Sequence, residues 1–312
     1  MPDLRVSGRS LVVEAGANLL DSLLRAGVPV AYSCRAGSCH ACLVRCLTGT
    51  LLDNKPHALS TEQLEQRWRL ACQCAVVENT SIEVFDPAQD ALPARVISCD
   101  WPAQDVLLLR LRPERALRYR AGQHVSLCAL SGVIRPYSVA SLPAEDEWLE
   151  FHIDCSRDGA FASVARQLSV GDELRIGQLH GAALHYDPEW QSRPLLLMAS
   201  GTGLAPLYSV LREAIRNDHQ GAVRLLHVAR DAASHYLRDE LKALEAIHSN
   251  LQVELIVSSD LTAALAELRL VPRQSIALLC GHPDNVESFA RRLYLAGLPR
   301  SQIFADSFLP HA

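Results

Sequence analysis

The stretch Cys34-Arg-Ala-Gly-Ser-Cys39-His-Ala-Cys42 places three thiols within nine residues, and a fourth follows at Cys72. The spacing is C-x4-C-x2-C, then twenty-nine residues, then C. That pattern holds a [2Fe–2S] cluster. Soft thiolates bind iron and spread the transferred electron over sulfur. Gly37 and the small Ala36, Ser38 and Ala41 let backbone amides approach the sulfurs, which would raise the potential. Four buried structural cysteines and a four-cysteine zinc site are the competing readings, although structural zinc usually takes two short-spaced pairs. Cys46 and Cys74 fall off the pattern and read as packing residues.

Around this loop, residues 1–85 read as a small α+β unit. Strands are expected at 4–6 and 11–13 around a Ser-Gly turn, and a helix at 18–26 ending on Gly27. Ser60 opens another short helix, residues 81–85 alternate like a strand, and 86–93, with two prolines, reads as a linker. Residues 94–190 carry several short β-like runs separated by turn residues, the pattern of a small barrel, with one helix expected at 161–168. Residues 191–312 alternate strand and helix, the pattern of a doubly wound parallel sheet.

Composition narrows the function. A length of 312 residues allows two or three domains. The net charge of −5 offers no concentrated basic surface, so nucleic-acid binding is not expected. The uncharged run 194–211 is long enough to span a membrane, but Ser200-Gly-Thr-Gly203 and Pro206 interrupt it. The first fifteen residues lack an apolar signal core, so a cytoplasmic location without membrane attachment is expected. Ten cysteines in such a chain point to metal or redox chemistry rather than disulfides.

Two further motifs fit that chemistry. Gly201-Thr202-Gly203-Leu-Ala-Pro206 falls between an expected strand and an expected helix. There glycines admit a pyrophosphate to the backbone and the helix start supplies amides. Arg135-Pro136-Tyr137-Ser138 combines a guanidinium for phosphate, an aromatic face for a flat ring and a hydroxyl for a redox nitrogen.

Tyr32-Ser-Cys-Arg-Ala-Gly-Ser-Cys and Trp68-Arg-Leu-Ala-Cys72-Gln resemble plant-type ferredoxin domains. Arg135-Pro-Tyr-Ser and the glycine turn resemble ferredoxin–NAD(P)H reductases. Together they resemble the fused reductase components of bacterial ring-hydroxylating oxygenases, of the naphthalene dioxygenase type, over nearly the whole chain. The resemblance implies a multidomain fold: an α+β β-grasp ferredoxin domain at 1–90, an antiparallel β-barrel FAD domain at 91–190 and an α/β doubly wound nicotinamide domain at 191–312.

The same resemblance implies roles. Cys34, Cys39, Cys42 and Cys72 hold the cluster. Arg135 neutralises flavin phosphate, Tyr137 covers the ring and Ser138 hydrogen-bonds near its reactive nitrogen, with Pro136 between. Gly159 precedes the phosphate-binding segment, where Ala162 stands at the usual serine or threonine position and Ser163 is next to it. The family's Gly-Pro-x-Gly turn appears as Gly177-Gln-Leu-His-Gly181. Gly201, Thr202 and Gly203 cradle NADH or NADPH, and Cys280-Gly281-His282-Pro283 places the Cys280 thiol beside the nicotinamide. Asp306-Ser-Phe308 matches a terminal acid-x-aromatic motif near the flavin. Arg230-Asp231 follows a strand where adenosine ribose is expected; the acid points to NADH, and Arg230 argues the opposite.

The implied activity carries electrons from NAD(P)H through FAD and the cluster to a Rieske-type oxygenase or a small ferredoxin, in aromatic-compound degradation. A reductase for a diiron monooxygenase or a deoxysugar dehydrase, and a redox sensor without turnover, stay open. The remaining histidines form no expected constellation: His40 reads as a solvent-facing loop residue and His227 as core.

Overall fold

The computed structural model describes residues 1–32, 34–37, 40–181, 183–268 and 271–308. At the N-terminus, a five-stranded mixed sheet is built around Asp3–Val6, which pairs antiparallel with Arg9–Val12 and parallel with Thr80–Val84. The helix Leu19–Arg25 lays Leu19, Leu20 and Leu23 on it, and all three are fully buried. Asn18 caps that helix and also donates to the Cys72 carbonyl at 3.0 Å, tying the helix start to the second half of the cysteine set. A three-stranded sheet of Ala17–Asn18, Cys74–Val76 and Leu51–Asp53 completes the unit.

The expected linker is mostly structured. Asp86 caps the short helix Pro87–Asp90, and the strand Leu92–Ala103 begins two residues later. Prolines at a helix N-terminus and near a strand start need no amide partner there, so the composition of a linker served element ends instead.

That strand enters a six-stranded antiparallel sheet. A bridge between Val139 and Phe151 joins its two ends, so the sheet closes into a barrel. Leu107, Leu109, Val125, Leu127 and Phe151 fill its interior, while the alternate residues Val106 and Leu108 pack outward against the C-terminal unit. Gly177 to His180, expected as a turn, continues the strand Glu173–His180.

The C-terminal sheet is wholly parallel, in the order Leu251–Val257, Val223–Ala229, Leu195–Ser200, Ile276–Gly281, Ile303–Ser307. Its central strands are buried on both faces: Leu195 and Leu197 face one helical layer, Leu196 and Met198 the other. The helix Leu204–Arg216 buries Leu207, Val210, Leu211 and Ala214, the spacing of one helical face. Pro206 lies in its first turn, where the missing amide has no partner to lose. Strand order reverses between Leu195–Ser200 and Ile276–Gly281, and ligands of such sheets bind at the carboxyl ends of the strands flanking that point.

The barrel and the parallel sheet share one apolar core that includes Val106, Leu108 and Ala121. Polar bonds reinforce the join: Ser209 donates to the Ser141 carbonyl at 2.8 Å, and Arg212 meets Asp146 at 3.0 Å. Among the described residues, no helix is long and apolar enough to cross a membrane.

Candidate functional site

Cys34, Cys42 and Cys72 are buried together at one end of the N-terminal unit; Cys39 lies outside the described residues. The loop already carries donors for thiolates. The Ala36 amide points to Cys34 Sγ at 3.3 Å, and the Gln73 side chain to Cys72 Sγ at 3.4 Å. A hydrogen bond from Cys42, helped by Gln73 and the Gly37 amide against the effect of burial, brings the Cys72 thiol down to about 7. Gly37 has φ +78°, and a Cβ there would stand 3.0 Å from Gln73 Cγ. Grouped buried thiols, with Cys72 shifted toward thiolate and donors converging on its sulfur, fit a [2Fe–2S] cluster. Cys74, by contrast, is pushed up to about 12 by burial and then by Asp53, and packs as an inert thiol. Cys46 is buried beside the Thr48 and Gly49 carbonyls.

The flavin motif lies on the strand Ile134–Ser138, at the mouth of the barrel. Arg135, Pro136, Tyr137 and Ser138 border a cavity of about 390 Å³, within the usual range for small-molecule sites. Tyr137 stands 4.9 Å from the Phe161 ring, giving two aromatic walls. Gly159 lines the cavity with open space where a Cβ would be. Phe161 and Ala162 also face inward, whereas Ser163 is exposed on the outer side of the helix Ala160–Ala165. Asp306 and Phe308 close the far side, where the Phe308 amide donates to the Gly281 carbonyl at 2.8 Å. Burial pushes the Asp306 carboxyl up, with the charge of His124 opposing.

The glycine turn sits at the point of strand reversal. Gly201 adopts φ +55° over open space, and a Cβ on Gly203 would lie 2.3 Å from the Cys280 carbonyl oxygen. Only glycine permits that approach of turn to strand. Thr202 reaches the flavin cavity. Cys280 is fully buried, and burial pushes its thiol well above the ordinary value. It pairs in register with Asp306 on the neighbouring strand. Arg230 extends toward solvent and pairs with Asp105 of the barrel at 3.3 Å. Asp231 is committed to its own turn, accepting from the Ser234 amide and hydroxyl, each at 2.9 Å.

Histidines form the part of the site that sequence reading missed. His40 is half-buried rather than solvent-facing; its ring meets His180 edge-on at 6.2 Å, and His180 lies 5.8 Å from His124. This column joins the cysteine loop to the cavity bordered by Arg135 and Tyr137, which His124 also lines. Burial pushes His180 down to about 3, so it stays neutral. His152 also lines the cavity, on the strand Leu149–Asp154. His227 is fully buried in its strand and meets the Gly201 carbonyl at 3.1 Å. The only sequence trace of these contacts is a histidine in a strand pattern otherwise apolar.

Next to His152, burial raises the Glu150 carboxyl, but bonds and charge from His152 and Arg110 outweigh it and bring it to about 2. Its stabilising effect is therefore complete above the ordinary glutamate value of 4.5 and is lost as pH falls through about 2. Acid unfolding followed by circular dichroism is expected to lose part of its pH dependence between those values in Glu150→Gln; an unchanged profile would count against the assignment.

The fold and site thus define an NAD(P)H-dependent electron-transfer oxidoreductase that carries FAD and a [2Fe–2S] cluster. The 2Fe-2S iron-sulfur cluster binding domain family matches residues 4–77, the oxidoreductase FAD-binding domain family 96–184 and the oxidoreductase NAD-binding domain family 197–291. The chain is 31% identical to the ferredoxin–NAD(P)+ reductase component of the naphthalene 1,2-dioxygenase/salicylate 5-hydroxylase systems of Ralstonia, over 96% of each chain. It is 29% identical to the corresponding naphthalene 1,2-dioxygenase component of Pseudomonas putida, over 98% of each chain. The crystal structure of an Amycolatopsis cytochrome P450 reductase covers 99% of each chain at a TM-score of 0.69 and 25% identity. The chain belongs to the family of ferredoxin–NAD(P)+ reductase components of oxygenase systems.

Proposed function

We propose that this protein is the reductase of a bacterial oxygenase system acting on aromatic compounds, with a Rieske-type oxygenase or its small ferredoxin as acceptor. One observation carries the reading: Thr202 of the nucleotide turn, Tyr137 and Ser138 of the flavin motif, and Cys34 of the cysteine loop border a single cavity. The relatives serve dioxygenase systems whose named substrates are aromatic. Arg135, Tyr137 and Ser138 would hold FAD, which would supply two-electron acceptance and one-electron release.

The chain's own residues prepare that exchange. Tyr137 and Phe161 hold a flat ring and exclude water. The Ser138 hydroxyl and the Asp306 carboxyl both face the cavity, and burial pushes that carboxyl up. Arg135 keeps its guanidinium at the edge for phosphate, where it donates to the Ile134 carbonyl at 2.7 Å and lies 5.9 Å over the Tyr32 ring. The Cys280 backbone packs under the glycine turn, and its buried thiol is the proposed neighbour of the nicotinamide. Cys34, Cys39, Cys42 and Cys72 serve as the cluster ligands. Units divide near residues 90 and 190, and cysteines that hold a cluster rather than disulfides suit a cytoplasmic, reducing compartment.

The test is an anaerobic NADH titration of the coloured protein with visible absorption, followed by EPR at the end point. Flavin and cluster bands are expected to bleach together and a [2Fe–2S] signal to appear. A colourless protein, or one unresponsive to both NADH and NADPH, would overturn the reading.

NADH is the proposed donor. Asp231 follows the strand Val223–Ala229, where the adenosine ribose is expected, and an acid there would repel a 2′-phosphate. Arg230, the side chain able to welcome that phosphate, is held by Asp105. Asp105→Ala should therefore raise kcat/KM for NADPH by roughly fivefold, the worth of one partly exposed ion pair, with little change for NADH. Equal effects on both nucleotides would refute this role for Asp105.

A further inference from the structure

A buried polar chain crosses the apolar join between the barrel and the nucleotide-binding sheet. Glu150 and His152 lie on the barrel strand Leu149–Asp154, and Tyr236 follows the sheet strand Val223–Ala229. His152 Nε2 stands 3.2 Å from Glu150 Oε1, and His152 Nδ1 3.1 Å from the Tyr236 hydroxyl. Arg110 closes the outer end at 2.6 Å from Glu150. Glu150, His152 and Tyr236 are 7%, 3% and 1% exposed.

The inner bond to Glu150 has a fixed direction. A carboxylate only accepts, so His152 Nε2 carries a proton and donates to Glu150. His152 Nδ1 and the Tyr236 hydroxyl share the other hydrogen bond. A second chain runs below. The Gly201 carbonyl also only accepts, so His227 Nε2 donates to it at 3.1 Å. The Tyr236 ring meets the His227 ring edge-on at 5.4 Å. The nucleotide turn, His227, Tyr236, His152 and Glu150 are thus packed in one line, and His152 itself borders the flavin cavity.

Apolar side chains would bury here at lower desolvation cost. Directional bonds instead specify one relative placement of the two units. We propose that Glu150, His152 and Tyr236 form a positioning relay that fixes the nucleotide turn against the flavin cavity, so that the hydride donor meets the flavin in a single geometry. The inference rests on the proposed function, because it presumes hydride transfer across that cavity.

The test is stopped-flow reduction of the FAD- and cluster-loaded protein by NADH and by 4-deuterated NADH. Tyr236→Phe removes only the hydroxyl. It is expected to slow flavin reduction at saturating NADH by about tenfold, because small misplacements of reacting atoms carry such costs. It should also enlarge the deuterium isotope effect, leave the NADH concentration dependence within about twofold and leave the later flavin-to-cluster step unchanged. Amide exchange at residues 201–203 should quicken in the same variant, independently of turnover. Unchanged reduction rate, isotope effect and exchange would overturn the proposal. Should Tyr236→Phe lose flavin, Glu150→Gln decides: slowed reduction with a larger isotope effect supports the relay, and wild-type behaviour overturns it. Failure of the unsubstituted protein to reduce its flavin would instead strike the proposed function.

Discussion

Cys72→Ser is expected to reduce transfer to one-electron protein acceptors such as cytochrome c by more than about 100-fold, while NADH-to-dye turnover through the flavin survives. Serine keeps the size of the buried side chain but replaces a soft ligand by a hard one, which iron–sulfur clusters tolerate poorly. The site magnifies the loss. Cys42, the Gln73 side chain and the Gly37 amide all converge on the Cys72 sulfur. The Cys72 carbonyl, through which Asn18 ties the loop to the helix Leu19–Arg25, is untouched, so the fold should persist. Flavin and cluster absorption separate the two steps. A folded variant in which NADH no longer bleaches the flavin would break the proposed order of carriers. One that still reduced cytochrome c at the wild-type rate would remove Cys72 from the ligand set.

Gly203→Val should be strongly damaging to the nucleotide-binding unit. A Cβ would lie 2.3 Å from the Cys280 carbonyl oxygen and 2.5 Å from its carbon. Both atoms are backbone in a central strand, bonded on either side by neighbouring strands, so neither side chain nor loop can give way. Forced overpacking of this kind costs about 3 kcal/mol and moves the turn out of line with the helix Leu204–Arg216. The expected result is a melting temperature several degrees lower and a Kd for NADH raised at least tenfold, about 1.4 kcal/mol of binding free energy. Gly201→Ala meets open space and pays only for its left-handed backbone, φ +55° and about 1 kcal/mol, so its effect should be clearly smaller. Calorimetry and NADH titration of the pair check the ranking; equal effects would refute the steric argument.

The column of His40, His180 and His124 spans from the cysteine loop to the cavity that His124 lines. Nothing in the sequence places these three together. His40 sits in a loop, His124 and His180 on strands that become neighbours only when the barrel forms. Ser163 shows the opposite case: a plausible phosphate ligand by position, it turns outward because Phe161, Ala162 and Ala165 claim the buried face of a short helix.

Taken by itself, the sequence determined the chemistry and the order of the units. Local spacing suffices for that. The cysteine loop, the Arg135-Pro-Tyr-Ser run and the Gly201-Thr-Gly turn each act through residues adjacent in the chain, and the apolar runs of the parallel sheet are continuous because both faces are covered. Tertiary structure alone decided how the units face one another. Cys34 borders the cavity that Asp306 also lines, Asp105 holds Arg230 across 125 positions of chain, and His152 reaches Tyr236 across 84. Such pairings depend on barrel closure and on which strand faces turn outward. These are set by the packing of the whole apolar core rather than by any local pattern.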